Sequence, residues 1–342
     1  MNKKIMIVVY GGFLRGMGHV VRMKRLANQL LQEGNDISFY TNEQICVEML
    51  SGPDWHVHLV QESRAFLQME QDIKELNPDL LLIDVLDCDL QFLQLVKASS
   101  SSARLVLFEE KRAEACQLAD AVVNGIYGGL DEKHMQVDGT EYFYGTPYLL
   151  LDQEISRLKD TYEVRKECKK VVISLGGSDP RGLLSKAVSA ILEADHLHIL
   201  AVTGKASRIE EQIEAEHIQF IRHTDQLPAR LSEADLAIVA GGMTLYEAVC
   251  IGVPSIVLSQ VDHQAVTAAR FAQKGACHHL GLGELVDEKD IRCAVERLSS
   301  SYFLRRSIHL NGRTLIDGKG TERVKNILIH LMNHHQKEHK DV

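Results

Sequence analysis

Short apolar runs alternate with amphipathic segments along both halves of the chain. Such runs are typical of buried strands, whereas apolar residues spaced three and four apart are typical of helices. The first half contains predicted strands at 5–10, 37–40, 80–84, 105–108, 121–124 and near Tyr142. Its predicted helices lie near 19–32, 64–76 and 88–98. This alternation predicts an α/β unit, in which a parallel sheet is covered by helices on both faces.

The alternation starts again after a charged, helix-prone stretch at 151–169. The second half contains predicted strands at 171–175, 199–203, 218–221, 236–240 and 255–258. We therefore predict two domains, 1–150 and 151–342, each long enough to bury its own core. A last predicted helix, at about 320–332, is a candidate to pack back on the first domain.

The amino-acid composition and the net charge limit which kinds of molecule the protein is expected to bind. The 342 residues are 45% hydrophobic and carry a net charge of −9, which argues against an extended nucleic-acid or anionic-membrane surface. The apolar run at 5–10 is too short for a signal peptide or a membrane span, so we expect a cytoplasmic protein. Seven scattered cysteines without a C-x-x-C pair predict reduced, mostly packing thiols. No histidine pair has ligands at metal-site spacing, so we expect no metal and no cofactor.

The most informative segment is IVAGGMTLYEAVCIGVPSIVLSQVDHQ, at 238–264. An apolar strand leads into Gly241 and Gly242, and a helix then starts at Met243 without side-chain bulk over its first backbone N–H groups. Such N–H groups and the positive end of the helix dipole attract anions. This turn is therefore a candidate site for a pyrophosphate that needs no metal.

Two residues of the same predicted helix are candidates for contacts with a nucleotide. Thr244 can add a hydroxyl, and the carboxylate of Glu247, one turn further on, can accept both hydroxyls of a ribose. A capping box, Thr244-x-x-Glu247, explains the same residues without a ligand. The two preceding glycines, together with His263 and Gln264 after the next strand, favour the nucleotide.

A second glycine-rich loop, GGFLRGMGHVVR at 11–22, joins the first predicted strand to the first helix. Gly16-x-Gly18 begins like a dinucleotide fingerprint, but Val21 stands at the third glycine, which argues against NAD. His19 lies at the mouth of the helix, where the positive dipole end disfavours the imidazolium. A polar helix cap is the alternative, but the carboxyl edge of a parallel sheet favours a catalytic base.

Further polar residues lie near the ends of predicted strands or helices in the first domain. Arg22, on the helix after His19, is a candidate substrate ligand, and Asp84, which ends a strand, can orient a sugar hydroxyl. Asp87 and Asp89 superficially resemble the metal-holding D-x-D of another sugar-transferring fold. A helix N-cap is the better explanation for that pair, because a helix follows.

The loop SLGGSDP, at 174–180, follows the first strand of the second domain. The N–H groups of Gly176 and Gly177 and the hydroxyl of Ser178 can contact a phosphate or a sugar. A tight turn closed by the following Asp-Pro pair explains the loop equally well.

The segments at 16–22, 174–180 and 240–264 together resemble the UDP-sugar hydrolases of the pseudaminic-acid pathway, and more closely proteins of spore-coat polysaccharide biosynthesis. The last segment is also similar to the UDP-binding region of the glycosyltransferase that makes lipid II. The resemblance implies a GT-B fold, with two doubly wound Rossmann-like domains facing a cleft. It also implies that UDP binds mainly to the C-terminal domain, without a metal, and that His19 assists water at the anomeric carbon.

Three positions depart from the hydrolase pattern. Leu86 stands where those hydrolases usually carry a tyrosine, and His263 stands where they carry an asparagine. Glu109 and Glu110 replace a pair of aspartates. We expect a UDP-sugar hydrolase that releases an amino or deoxy sugar. An inverting glycosyltransferase and a catalytically silent nucleotide-sugar-binding scaffold are the alternatives.

Overall fold

The computed structural model describes residues 2–52, 54–60, 65–86, 88–100, 102–128, 133–177, 179–204, 215–222 and 224–338. The chain divides into two compact units, Met1–Leu151 with Lys319–Val342, and Asp152–Gly318. The junction after Leu151 lies one residue from the boundary that the sequence predicts. The last segment of the chain groups with the first unit rather than the second.

The first unit is built on a sheet that is parallel except at one edge. Its strands are β1 (Lys4–Val9), β2 (Asp36–Thr41), β3 (His56–Leu59), β4 (Leu80–Asp84), β5 (Arg104–Phe108), β6 (Ala121–Asn124), β7 (Lys133–Val137) and β8 (Thr140–Tyr144). The spatial order is β3-β2-β1-β4-β5-β6-β8-β7, and β7 pairs antiparallel with β8. The helices of this part are α1 (Gly18–Gln32), α2 (Gln44–Leu50), α3 (Ala65–Leu76), α4 (Leu90–Ser99) and α5 (Ala113–Cys116).

The central strand β1 explains where the first unit places its loops. It pairs with β2 on one side and β4 on the other, so the strand order reverses between β1 and β4. In doubly wound sheets, ligands bind at the carboxyl ends of the strands at such a reversal. Helix α1 covers β1 and buries Val20, Met23, Ala27 and Leu30, as its apolar spacing predicts.

The second unit repeats this arrangement with a fully parallel sheet. Its strands are β9 (Lys170–Ser174), β10 (His198–Thr203), β11 (Ile218–Arg222), β12 (Leu236–Val239), β13 (Ser255–Ser259) and β14 (His278–Leu282). Its helices are α6 (Glu154–Thr161), α7 (Leu183–Ala190), α8 (Leu227–Glu233), α9 (Met243–Ile251), α10 (Asp262–Gln273), α11 (Glu288–Ser300) and α12 (Tyr302–Arg313). The spatial order is β11-β10-β9-β12-β13-β14, so the reversal lies between β9 and β12.

The last helix, α13 (Gly320–Glu338), packs on the first unit. Val324 and Leu328 are fully buried in the core that includes Val20 and Met23 of α1. The hydroxyl of Thr321 donates to the Leu151 carbonyl at 2.6 Å and fixes the start of the helix. A helix from the end of the chain therefore completes the core of the first unit.

Strands form at each position where the sequence predicts one, and the predicted α/β fold class with two doubly wound domains is confirmed. The prediction missed β3, β7 and β14, which lie at sheet edges and lack fully buried residues. An edge strand has only one neighbour and needs no continuous apolar run. None of the helices in the described ranges is long and apolar enough to cross a membrane.

Candidate functional site

The glycine-rich loop after β1 is closed by hydrogen bonds within the first unit. Gly12 donates to the Gly16 carbonyl at 3.1 Å, and Gly16 donates back to Gly12 at 2.9 Å. The N–H of Gly11 donates to Asn42 Oδ1 at 2.9 Å. Gly12 has φ +140°, a conformation that favours glycine, and the carboxyl group of Glu43 lies where a Cβ would be. Three N–H groups are already bonded and a carboxylate lies beside them, so this loop is poorly suited to a phosphate.

His19 lies in the first turn of α1, directly after Gly18. The N-terminus of this helix has no side-chain cap, so the alternative of a capping histidine is wrong. The Nδ1 atom of His19 lies 2.7 Å from Asp84 Oδ1. A deprotonated carboxylate only accepts, so Nδ1 carries the hydrogen and Nε2 is the nitrogen that can accept a proton.

Asp84 ends β4, is fully buried, and binds Arg22 as well as His19. Arg22 Nε donates to Asp84 Oδ2 at 2.7 Å, and Arg22 Nη2 donates to Oδ1. Arg22 Nη2 also lies 2.9 Å from His19 Nδ1. Because both of these nitrogens carry hydrogens, neither accepts from the other, and both donate to Asp84 Oδ1. Burial would raise the pKa of Asp84, but the charges of Arg22 and then His19 outweigh it and lower that pKa to about 2.

Arg22 and Asp84, which the sequence predicts as substrate ligands, are both buried. Arg22 is only 6% exposed and Asp84 has no exposed surface. Asp84 uses both carboxylate oxygens within the unit. Burial would lower the pKa of Arg22, but the carboxylates of Asp84 and Glu109 raise it above its ordinary value. The geometry therefore suits these residues to holding His19 in place.

Glu109 is a member of this cluster that sequence reasoning missed. Its Oε1 accepts from Arg22 Nη1. The sequence marked Glu109 and Glu110 only as departures from a family pattern, but the next carboxylate, that of Glu110, binds Arg112 instead. The sequence signal that could have placed Glu109 near Asp84 is its position directly after β5, the strand beside β4.

Other predicted residues of the first unit lie at the same strand ends. Leu86, in the loop after β4, is 54% exposed. Asp89 is the N-cap of α4 and accepts from the backbone N–H of Gln91 at 2.7 Å, so the prediction of a helix cap is confirmed for this residue. Asp87 lies outside the described residues.

In the second unit, the turn after β12 opens α9 without a side-chain cap. Gly242 is the N-cap of the helix and Met243 its first residue. Thr244 is therefore the second helical residue, and the alternative of a Thr244-x-x-Glu247 capping box is wrong, because that motif needs Thr244 at the N-cap. Glu247 lies one turn further along and is 3% exposed.

The same turn packs against the first turn of α10. An added Cβ on Gly241 would lie 2.8 Å from the Gln264 carbonyl oxygen, and one on Gly242 would lie 3.4 Å from Gln264 Nε2. The close approach of α10 thus explains the absence of a side chain at Gly241. The structure brings Gly241, Gly242 and Gln264 together, with His263 beside Gln264 and exposed.

Gln260, at the end of β13, ties the neighbouring loops together, and sequence reasoning missed it. Its Nε2 donates to the Leu175 carbonyl at 3.0 Å and to Asp179 Oδ1 at 2.7 Å. Its backbone N–H donates to Gln264 Oε1 at 3.0 Å. Asp179 also accepts from the backbone N–H of Leu183, the first residue of α7, at 2.9 Å. Gln260 therefore fixes the loops after β9 and β13 relative to each other.

The predicted residues after β9 lie beside this cluster. Gly176 has φ +101°, a conformation that favours glycine. Gly177 lies so close to Gly204, at the end of β10, that an added Cβ on Gly204 would overlap it. Ser178 lies outside the described residues. Across the described ranges, no group of three or more His, Cys, Asp or Glu side chains is arranged to hold a metal ion.

Solved structures define the class of the fold. MurG of Acinetobacter baumannii superposes with a TM-score of 0.67 at 14% identity, covering 96% of this chain and 99% of that chain. A co-structure of S. aureus MnaA with UDP superposes with a TM-score of 0.64 at 15% identity, covering 97% of each chain. The fold is that of the GT-B glycosyltransferases, and residues 171–298 match the family described as glycosyltransferase family 28 C-terminal domain.

The sequence comparison is more specific. The chain is 40% identical over 326 residues to the spore coat polysaccharide biosynthesis protein SpsG of Bacillus subtilis (strain 168), covering 93% of this chain and 95% of that protein. The chain therefore belongs to the SpsG family.

The buried carboxylate of Asp84 predicts a pH-dependent contribution to stability. Its pKa is lowered from 3.8 to about 2 in the folded protein, so its stabilising effect is complete above about pH 4 and is lost as the pH falls through about 2. That shift corresponds to roughly 2 kcal/mol. Asp84→Asn should therefore lower the free energy of unfolding most at neutral pH, and the difference from the parent should shrink towards pH 2.

Urea unfolding of parent and variant between about pH 2 and 7 measures this difference. Asp89→Asn is the matched control, because asparagine is an equally good N-cap and the residue is exposed. A destabilisation by Asp84→Asn that does not change with pH would contradict the charge-pairing explanation.

Proposed function

We propose that this protein is a UDP-sugar hydrolase that releases UDP and a free amino or deoxy sugar for surface polysaccharide or nonulosonic-acid biosynthesis. The observation that carries the proposal is the 2.7 Å hydrogen bond between His19 Nδ1 and Asp84 Oδ1, which leaves Nε2 as a base at the strand reversal of the first unit. The relative SpsG is a spore coat polysaccharide biosynthesis protein, which supports a carbohydrate substrate.

The proposed reaction is a direct displacement by water. His19 Nε2 takes a proton from water as its oxygen bonds to the anomeric carbon, and the bond from that carbon to the phosphate oxygen breaks. UDP leaves with the bonding electron pair. Asp84 stabilises the imidazolium that forms, as the carboxylate of a catalytic triad does.

The second unit suits the nucleotide. The N-terminus of α9 has no side-chain cap, follows Gly241 and Gly242, and presents the positive end of its dipole. We assign the diphosphate to this turn with Thr244, and the ribose to Glu247. The likeness in fold to an MnaA structure that holds UDP supports a nucleotide of this kind.

The closed loop after β1 supports a sugar, rather than a phosphate, beside His19. Gly12 and Gly16 use their N–H groups on each other, and the carboxylate of Glu43 would repel a phosphate. The two glycine-rich loops thus have different proposed ligands.

An inverting glycosyltransferase is the second candidate, favoured by the match to glycosyltransferase family 28 over 171–298. It would use the same base, with an acceptor hydroxyl in place of water.

Incubation with a panel of UDP-sugars, with and without acceptors, separates the candidates. UDP release without an acceptor supports the hydrolase, and release only with an acceptor supports the transferase. Binding without turnover leaves a nucleotide-sugar-binding scaffold. Activity should persist in EDTA.

His19→Ala should reduce turnover and leave nucleotide binding intact. Loss of a positioned base costs about 10² to 10⁴ in rate, whereas UDP affinity should stay within a few-fold because the proposed nucleotide ligands lie in the other unit. Single-turnover rates and UDP binding of the parent and the variant test this.

His56→Ala, at an exposed histidine of the same unit, is the control and should match the parent. Turnover by His19→Ala close to the parental rate would exclude His19 as the base.

Glu247→Gln should weaken UDP binding by roughly 10- to 100-fold, since hydrogen bonds to a charged group are worth about 1.5 to 3 kcal/mol. Calorimetric titration with UDP measures the affinity, and thermal unfolding should show little change because glutamine is isosteric. Glu288→Gln, at an exposed position of α11, is the control. Unchanged affinity would exclude Glu247 as a ribose ligand.

A further inference from the structure

Glu109 has a backbone conformation that residues with a Cβ rarely adopt. It directly follows β5 and has φ +57°, in the left-handed region. Its N–H donates to the Val123 carbonyl of β6 at 2.9 Å, so the conformation is held by the sheet. Non-glycine residues in this region are concentrated at functional sites, where the surrounding structure compensates for the strain.

The side chain of Glu109 reaches Arg22 and gives the third guanidinium nitrogen a carboxylate partner. Arg22 Nη1 donates to Glu109, while its Nε and Nη2 donate to Asp84. The guanidinium is planar, so a partner at Nη1 fixes the direction of the other two donors. Glu109 therefore controls the orientation in which Arg22 meets Asp84, and Asp84 is the acceptor for His19 Nδ1.

The net charge of the cluster of His19, Arg22, Asp84 and Glu109 is consistent with a role for Glu109 beside a base. Asp84 and Glu109 contribute two negative charges and Arg22 one positive charge, so the set is neutral when the imidazole of His19 is protonated. A base that takes a proton from water becomes an imidazolium, and a buried cluster without Glu109 would then carry an unbalanced positive charge. Glu109 is the group that balances the product of the proton transfer.

The neighbouring carboxylate provides an internal comparison. Glu110 accepts from Arg112 and from the backbone N–H of Lys111 at 2.8 Å. It makes a separate ion pair at the same strand end, with no hydrogen bond to Arg22 or Asp84 among the described residues. A change at Glu110 therefore alters the local charge by the same amount but leaves the contacts of Arg22 in place.

We propose that Glu109 is a positioning residue for His19, acting through Arg22 and Asp84. It holds the guanidinium so that one oxygen of Asp84 stays aligned with His19 Nδ1. This inference rests on the proposed role of His19 as the base, but the geometry it describes can be measured without a substrate.

The first experiment determines the tautomer of His19 in protein with ¹⁵N-labelled histidine. Two-bond ¹H–¹⁵N spectra at about pH 8.5, where free imidazole is neutral, distinguish the Nδ1–H from the Nε2–H form, and His19→Ala identifies the signal. The parent should show the Nδ1–H form. Glu109→Gln and Glu109→Gly should shift the signal towards a mixture, whereas Glu110→Gln and Glu109→Asp should keep the parental tautomer.

The second experiment measures turnover and stability of the same variants. Glu109→Gln and Glu109→Gly should lower kcat by roughly 10- to 100-fold with KM within a few-fold, because a misaligned base affects the transition state rather than binding. Glu109→Asp should recover most of the rate. Glu109→Gly relieves the backbone strain at φ +57° but leaves Arg22 Nη1 without its carboxylate partner, so its Tm should lie below that of the parent.

The two experiments separate this inference from the proposed function. An altered tautomer in Glu109→Gln, in a protein that turns over no UDP-sugar, would support the positioning role and contradict the hydrolase. Glu109→Gly with the parental tautomer and parental kcat would overturn the positioning role, whatever the substrate. A parental His19 in the Nε2–H form would overturn it as well.

Discussion

The buried carboxylate of Asp84 is the constraint on which the polar cluster of the first unit depends. A carboxylate with no exposed surface at the end of a central strand must be compensated by buried donors, and Arg22 and His19 are those donors. Because both come from the first two turns of α1, the pairing also fixes how that helix sits over the sheet. Glu109 then pairs with Nη1, the guanidinium nitrogen of Arg22 that Asp84 does not bind. His19 is therefore held by a network of hydrogen bonds and ion pairs rather than by packing alone.

Each unit places its polar residues where the strand order reverses, but the two glycine-rich loops there differ in chemistry. The loop after β1 bonds to itself and lies against a carboxylate. The turn after β12 leads directly into a helix whose N-terminus has no side-chain cap. Both α1 and α9 begin without a side-chain cap, but in the first loop the N–H groups of Gly12 and Gly16 are bonded to each other and cannot bind an anion without breaking those bonds. The same sequence signal, paired glycines after a strand, thus has two different outcomes.

The chemistry of a His-Asp pair is compatible with attack by water or by an acceptor hydroxyl, since both need only a base beside the anomeric carbon. Membership of the SpsG family and the glycosyltransferase family 28 match place the chain among glycosyltransferase-like proteins, and the fold is shared with MurG and with MnaA, which was solved with UDP. If His19 is the base that we propose, the two reactions differ only in whether water or an acceptor hydroxyl reaches it.

The sequence by itself determined the α/β class, the central strands and the glycine turns, because apolar periodicity and glycine conformation are local properties. Tertiary structure decided the partners of each polar side chain. His19 meets Asp84 across 65 positions, and Arg22 meets Glu109 across 87, because parallel strand order brings distant strand ends to one edge. Tertiary structure also decided why Gly241 lacks a side chain, because Gln264 of α10 approaches it closely. Contacts between residues far apart in sequence follow from strand order, which local pattern does not encode.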